Sequence, residues 1–133
     1  MTDPAALSAI PTPSASPFLF CADVDASMAF LQAAFGFERL SCADGHGHAR
    51  LGDTYVFLSN PHADSGMVPA NQLPGLHALV MVYVDDVDAL TERAAAAGAR
   101  IDYGPTDMPY GQREAGIRDL DGNLWSFATA RST

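Results

Sequence analysis

The stretch Asp119-Leu120-Asp121-Gly122-Asn123-Leu124-Trp125-Ser126-Phe127 runs a tight acidic Gly-Asn turn into an alternating strand. A looser version stands earlier, at Leu51-Gly52-Asp53-Thr54-Tyr55-Val56-Phe57-Leu58. Outward from the two turns, Asp23, Met28 and Gly36 recur as Asp85, Leu90 and Gly98, each at a shift of 62 residues. The turn glycines Gly52 and Gly122 are 70 apart, which gives the second copy eight extra residues before its last strand. Two copies of one unit are present.

Each copy opens with an apolar strand, Phe18-Leu19-Phe20-Cys21 or Leu79-Val80-Met81-Val82-Tyr83-Val84, in residue types that suit a pleated surface. Asp25 and Asp86 are expected to cap the helices that follow. Met28, Leu31 and Phe35, like Val87, Leu90, Ala94 and Ala97, fall at helical spacing and make an apolar stripe. Gly36 and Gly98 end the helices, where a positive φ is cheapest as glycine. Three short strands complete each unit, over 37–43, 46–51 and 55–59, then over 100–103, 113–118 and 124–129. The expected fold is α+β, two tandem βαβββ units. The first unit is placed at 16–60, a connector at 61–75 that could act as a lid, and the second unit at 76–130, together one compact domain. Residues 1–15 carry neither a basic nor an apolar signal segment and read as a loose tail.

At 133 residues and 48% apolar, the chain fits one domain with a shared core. Seven basic against sixteen acidic residues give a net charge of −9, and without a basic cluster a nucleic-acid partner is excluded. The acidity either keeps the protein in solution or attracts a cationic ligand. No apolar run approaches the ~20 residues that span a bilayer, so no membrane partner and a cytoplasmic location are expected. Cys21 and Cys42 lack C-x-x-C spacing and read as free thiols.

The segments Tyr110-Gly111-Gln112-Arg113-Glu114 and Arg118 to Phe127 carry a resemblance that extends over about residues 16–129. The chain resembles the vicinal-oxygen-chelate superfamily, which contains glyoxalase I, extradiol dioxygenases, fosfomycin-resistance enzymes and bleomycin-resistance proteins. Its close is similar to the bleomycin-resistance or glyoxalase-like subgroup, with Leu120 where that subgroup usually has Pro. The resemblance implies that the paired units form curved mixed sheets around a cleft that holds the ligand, and homodimers whose clefts are built from both chains.

Enzymes of this superfamily chelate a divalent metal through His and Glu on the first and last strand of each unit, and the metal's open position polarises the substrate. Carried onto this chain, the four positions fall at Ser16, Phe57 (Val56 if the register slips by one), Leu79 and Ser126. All four expected ligands are missing, so neither a metal nor another cofactor is expected. His77 shares a strand face with Leu79 but lacks a carboxylate partner, His46 and His48 read as a solvated hairpin, and His62 sits in the connector.

An apolar, aromatic cleft is expected in place of metal chemistry. Inward-facing alternation nominates Phe18, Phe20, Tyr55, Phe57, His77, Leu79, Met81 and Ser126 as ligand-binding residues. Tyr110, Arg113 and Glu114 complete the set; Arg113 and Glu114 begin a strand and must face opposite ways, so at most one enters the cleft. Trp125 should point the other way and pack under a helix, while Asp119 or Asp121 bonds the backbone of the turn. With no G-x-S-x-G elbow, P-loop or dinucleotide fingerprint, no catalytic residue is assigned. The expected function is sequestration of a flat, cationic or amphipathic small molecule, such as an antibiotic, by a homodimer. The alternatives are a lyase, isomerase or dioxygenase of the same superfamily with non-standard or absent metal ligands, and a scaffold module.

Overall fold

A computed structural model describes residues 15–131, so the expected N-terminal tail lies outside the described residues apart from Ala15. The first unit comprises β1 (Phe18–Phe20), α1 (Val24–Phe30) with a π-helical last turn at Leu31–Phe35, β2 (Glu38–Ala43), β3 (His46–Leu51) and β4 (Thr54–Ser59). The second comprises β5 (Val80–Tyr83), α2 (Val87–Ala96), β6 (Ile101–Asp107), β7 (Gln112–Arg118) and β8 (Leu124–Ala130). Two four-stranded sheets result, ordered β1-β4-β3-β2 and β5-β8-β7-β6. In each, the opening strand lies parallel to the last one and the other neighbours are antiparallel. The α+β fold of paired βαβββ units is therefore the one the repeat predicts.

The repeat itself needs one correction. Asp23, not Asp25, caps α1: its backbone is extended and its carboxylate accepts from the Ala26 N–H at 3.3 Å, as Asp86 accepts from Ala89 at 3.0 Å. Asp25 lies inside the first turn, where a negative charge still meets the positive end of the helix. The two caps are 63 residues apart, while the pairs Phe18↔Phe57 and Met81↔Ser126 set β4 and β8 apart by 69. Six extra residues, rather than eight, separate the copies. Gly52 and Gly122 mislead because Leu51 pairs with Thr54 across a two-residue turn, whereas Arg118 pairs with Leu124 across five residues.

One face of each sheet is closed by helices. Met28, Leu31 and Phe35 from the first unit and Val87 and Ala94 from the second are buried, whereas Ala97, expected in the stripe, is exposed beside Gly98 at the helix end. On the strands Val56, Leu58, Ala115, Ile117, Trp125 and Phe127 meet those helices. Each large apolar side chain buried here is worth about 1.5–3 kcal/mol. The core is common to both units: the Phe35 ring lies 4.8 Å from Phe127 and 5.5 Å from Trp125. Polar contacts follow the same path, since Arg93 of α2 donates to the Ala33 and Gln32 carbonyls at the end of the first helix.

The Asp119–Asn123 turn is the second link between the units. Asp119 accepts from the Asp121 and Asn123 N–H groups, from the Asn123 amide and from the Trp125 indole, all at 2.9–3.0 Å. Asp121 reaches back 99 residues to accept from the Ala22 N–H at 2.9 Å, and also accepts from the Ser27 hydroxyl. The connector docks on this turn through Asn71, whose N–H donates to the Asp121 carbonyl at 2.8 Å.

Candidate functional site

Strand alternation leaves the opposite face of each sheet free of helices. Because Val56, Leu58, Trp125 and Phe127 point to the helices, Tyr55, Phe57, Leu124 and Ser126 point away from them. The exposed edges of β1 and β5, together with the connector, enclose a cavity of about 600 Å³. Phe18, Phe20, His77, Leu79 and Met81 line it, with Val68, Leu73 and Leu76 of the connector. Phe18 is 50% exposed, Leu79 49% and Met81 44%, so apolar surface is held open rather than packed away. Phe57 supports this wall from behind, stacked on Phe18 at 6.1 Å and 14°.

His48 departs from the expected solvated hairpin. It is buried, with its ring edge 4.6 Å from Phe57 and its Nδ1 2.9 Å from the Ser41 hydroxyl. Burial, and then the nearby His46, pull its pKa below the ordinary histidine value, so at neutral pH it is a neutral aromatic support. His62 is exposed and its ring meets Phe20 edge-on at 6.1 Å. Burial likewise pushes the Cys21 thiol up to about 12, which removes it as a nucleophile.

A polar cluster lies farther along the open face of the second sheet. Glu114 is 3% exposed and its carboxylate accepts from Tyr110 Oη at 2.7 Å, from Gln112 Nε2, and from Tyr103 Oη and Ser126 Oγ at 3.4 Å. Burial pushes this carboxyl up, but the hydrogen bonds outweigh burial and hold it below the ordinary glutamate value. The bond to Glu114, more than burial, drives the Tyr110 hydroxyl up to about 12. Tyr103 lies flat across Gly116, and its hydroxyl is 3.1 Å from Ser126 Oγ.

The structure sorts the residues nominated from sequence into distinct places. Phe18, Phe20, His77, Leu79 and Met81 line the cavity and Phe57 stacks on Phe18, while Tyr110 and Ser126 bond Glu114 in the separate polar cluster. Arg113 faces the helix side, paired with Asp88 at 2.8 Å and Asp107 at 3.2 Å, so of the two neighbours it is Glu114 that occupies the open face. Tyr55 stands outside the cavity wall at the start of β4, where its carbonyl accepts the Ser16 hydroxyl. Sequence reasoning missed Tyr103 and the connector's Leu73 and Leu76. Gly116 within an alternating strand was the available signal for Tyr103, because a strand glycine often marks a close approach.

The shifts of 63 and 69 make Ser16 equivalent to Leu79 and Phe57 equivalent to Ser126. These are the four positions onto which the resemblance carries the superfamily's metal ligands, and none offers imidazole or carboxylate. Among the described residues, no three His, Cys, Asp or Glu side chains come together as a metal site. The donor set does not fit a chelated divalent cation of that kind.

The fold and site define a class: a two-unit α+β domain with an apolar cavity between the opening strands. Residues 14–127 match the Glyoxalase/Bleomycin resistance protein/Dioxygenase superfamily, and the chain belongs to that family. It is 32% identical over 104 residues to "Putative glyoxylase CFP32" of Mycobacterium tuberculosis, a match covering 77% of this chain and 38% of that protein. This chain therefore spans well under half the length of that relative. Among solved structures, TioX from Micromonospora sp. ML1 is 29% identical with a TM-score of 0.69, covering 88% of this chain and 99% of the other. Lactoylglutathione lyase from Agrobacterium tumefaciens is 26% identical with a TM-score of 0.65, covering 90% and 96%.

Proposed function

We propose that this is a metal-independent binding protein that sequesters a flat, amphipathic or cationic small molecule in the cavity between β1 and β5. The observation that carries the reading is the cavity of about 600 Å³, within the range typical of ligand sites, walled by half-exposed Phe18, Leu79 and Met81. Phe18, its ring backed by Phe57, offers a face on which a planar molecule can stack. A flat aromatic antibiotic has this shape. Two free cysteines suit the reducing cytoplasm. Among the described residues no helix is long and apolar enough to cross a membrane.

A glyoxalase-like enzyme is the second reading, favoured by the names of the mycobacterial and Agrobacterium relatives. It requires a metal held by donors other than Ser16, Phe57, Leu79 and Ser126. Elemental analysis after dialysis against Zn, Ni, Mn and Fe in turn is expected to find far less than one metal per chain. Under the same conditions the aromatic cation proflavine should raise the melting temperature, and Phe18→Ala should weaken its binding by about 1–3 kcal/mol. One tightly held metal per chain, with no stabilisation by proflavine, overturns the binding-protein reading.

The same exposed strand edges support pairing of the chain with itself. Leu79 and Met81 stand exposed at the start of the edge strand β5, whose cavity end a second copy can cover while completing the cavity. Sedimentation at micromolar concentration should report about 28 kDa, twice the 14.0 kDa of one chain. A monomer at that concentration rejects the two-fold assembly.

A further inference from the structure

Glu114 is a buried carboxylate whose hydrogen-bond partners are all neutral: two tyrosines, a glutamine and a serine. Five arginines, Arg50, Arg100, Arg113, Arg118 and Arg131, pair with other carboxylates, and Arg93 is spent on helix carbonyls. Among the described residues no cation pairs with Glu114. A glutamine would fill the same space without the cost of burying an uncompensated charge, so packing alone does not account for a carboxylate here.

Its place on the sheet connects it to the cavity. Met81 and Tyr83 stand on the same face of β5, and Met81 lines the cavity wall. Tyr83 and Glu114 are both paired across the sheet with Ala128, so a small side chain is all that separates them in that row. The Tyr83 hydroxyl donates to Gln112 Oε1 at 2.9 Å, and Gln112 in turn bonds Glu114. Tyr83 is 62% exposed and Tyr110 65%, so two aromatic faces rim the carboxylate on its solvent side. Tyr110 stands just before β7, next to Gly111 at φ 93, and its hydroxyl can leave Glu114 without disturbing a strand.

We infer that Glu114 is the anionic seat for an ammonium or guanidinium group of the ligand, taken up when the Tyr110 hydroxyl swings off the carboxylate. This deepens the proposed sequestering role and rests on it: the flat body of the ligand occupies the cavity while its cationic end crosses Tyr83 to Glu114. The aromatic rim stabilises the cation during entry, and the buried carboxylate supplies a charge-assisted hydrogen bond once water is displaced.

Three probes with one ring system separate the two claims: 1-naphthylmethylammonium, 1-naphthylmethanol and 1-naphthoate, titrated by calorimetry into the full chain. The ammonium is expected to bind at least about tenfold more tightly than the alcohol, with the carboxylate weakest. In Glu114→Gln the advantage of the ammonium should vanish while the alcohol binds as before. If that variant does not fold, Tyr110→Phe decides, since freeing the carboxylate should strengthen ammonium binding severalfold and leave the alcohol unchanged. Equal binding of ammonium and alcohol to the unmodified protein, or no gain for the ammonium in Tyr110→Phe, overturns the seat at Glu114 and leaves the cavity reading standing. Failure of all three probes to bind overturns both.

Discussion

Trp125→Ala is expected to cost about 3–5 kcal/mol of folding stability, a large part of the 5–15 kcal/mol that holds a typical domain together. The ring is fully buried and lies 5.5 Å from Phe35, 5.6 Å from Phe37 and 6.0 Å from Phe127, so its removal opens the core where the two units meet. Three aromatic neighbours, at the end of the first helix, just before β2 and on β8, cannot collapse into that space without moving a helix or a strand. The indole also donates to Asp119 Oδ2 at 2.9 Å, within the turn whose neighbour Asp121 binds Ala22 and Ser27. Trp125→Phe keeps a ring and removes the donor; it should cost about 1–3 kcal/mol beyond the small loss of volume. Since Trp125 is the sole tryptophan, urea unfolding followed by circular dichroism is the appropriate measurement. A loss below about 1 kcal/mol in Trp125→Ala would contradict a core shared between the units.

The elements were legible because each rests on local chemistry. Alternating residues at Val56, Phe57 and Leu58, or at Trp125, Ser126 and Phe127, fix which face of a strand is buried, and the observed strands follow the predicted bounds to within a few residues. The exact offset between the copies was not legible, because turn length is set by pairing across strands: two residues follow Leu51 and five follow Arg118. Choosing Asp23 over Asp25 as the cap depends on where the chain leaves β1, which the run Asp23-Val24-Asp25 does not reveal.

For the site, alternation established that Arg113 and Glu114 diverge, yet not which one faced the helices. That choice depends on Asp88, 25 residues away on α2, which draws the guanidinium to its side. His48 was missed for a similar reason. Its burial comes from Phe57 on the neighbouring strand and Ser41 across the hairpin, while Gly45 and Gly47 just before it suggested an open turn. The connector's contribution was the least readable part, since Leu73 and Leu76 belong to no periodic segment and line the cavity only through the chain's path beside the Asp119–Asn123 turn.

Gly116→Ala should destabilise the protein by about 1–3 kcal/mol, although on backbone grounds alone alanine suits a strand better than glycine. The sign is decided by space. A Cβ at this position would fall 2.1 Å from Cε1 and 2.5 Å from Cδ1 of Tyr103, well inside van der Waals contact. The ring must lift off the sheet, and its hydroxyl then loses Ser126 at 3.1 Å and Glu114 at 3.4 Å. The cost is therefore steric and polar together, and it falls on the open face rather than on the helix-packed core. A double-mutant cycle isolates it: in a Tyr103→Ala background the added methyl has no ring to strike, so Gly116→Ala should be close to neutral. Chemical denaturation of the two single variants and the double variant supplies the three values needed. Additive losses in that cycle would mean that Tyr103 does not lie over Gly116 in solution. Strong coupling would identify the glycine as the clearance that lets Tyr103 lie flat against the sheet and reach Ser126 and Glu114.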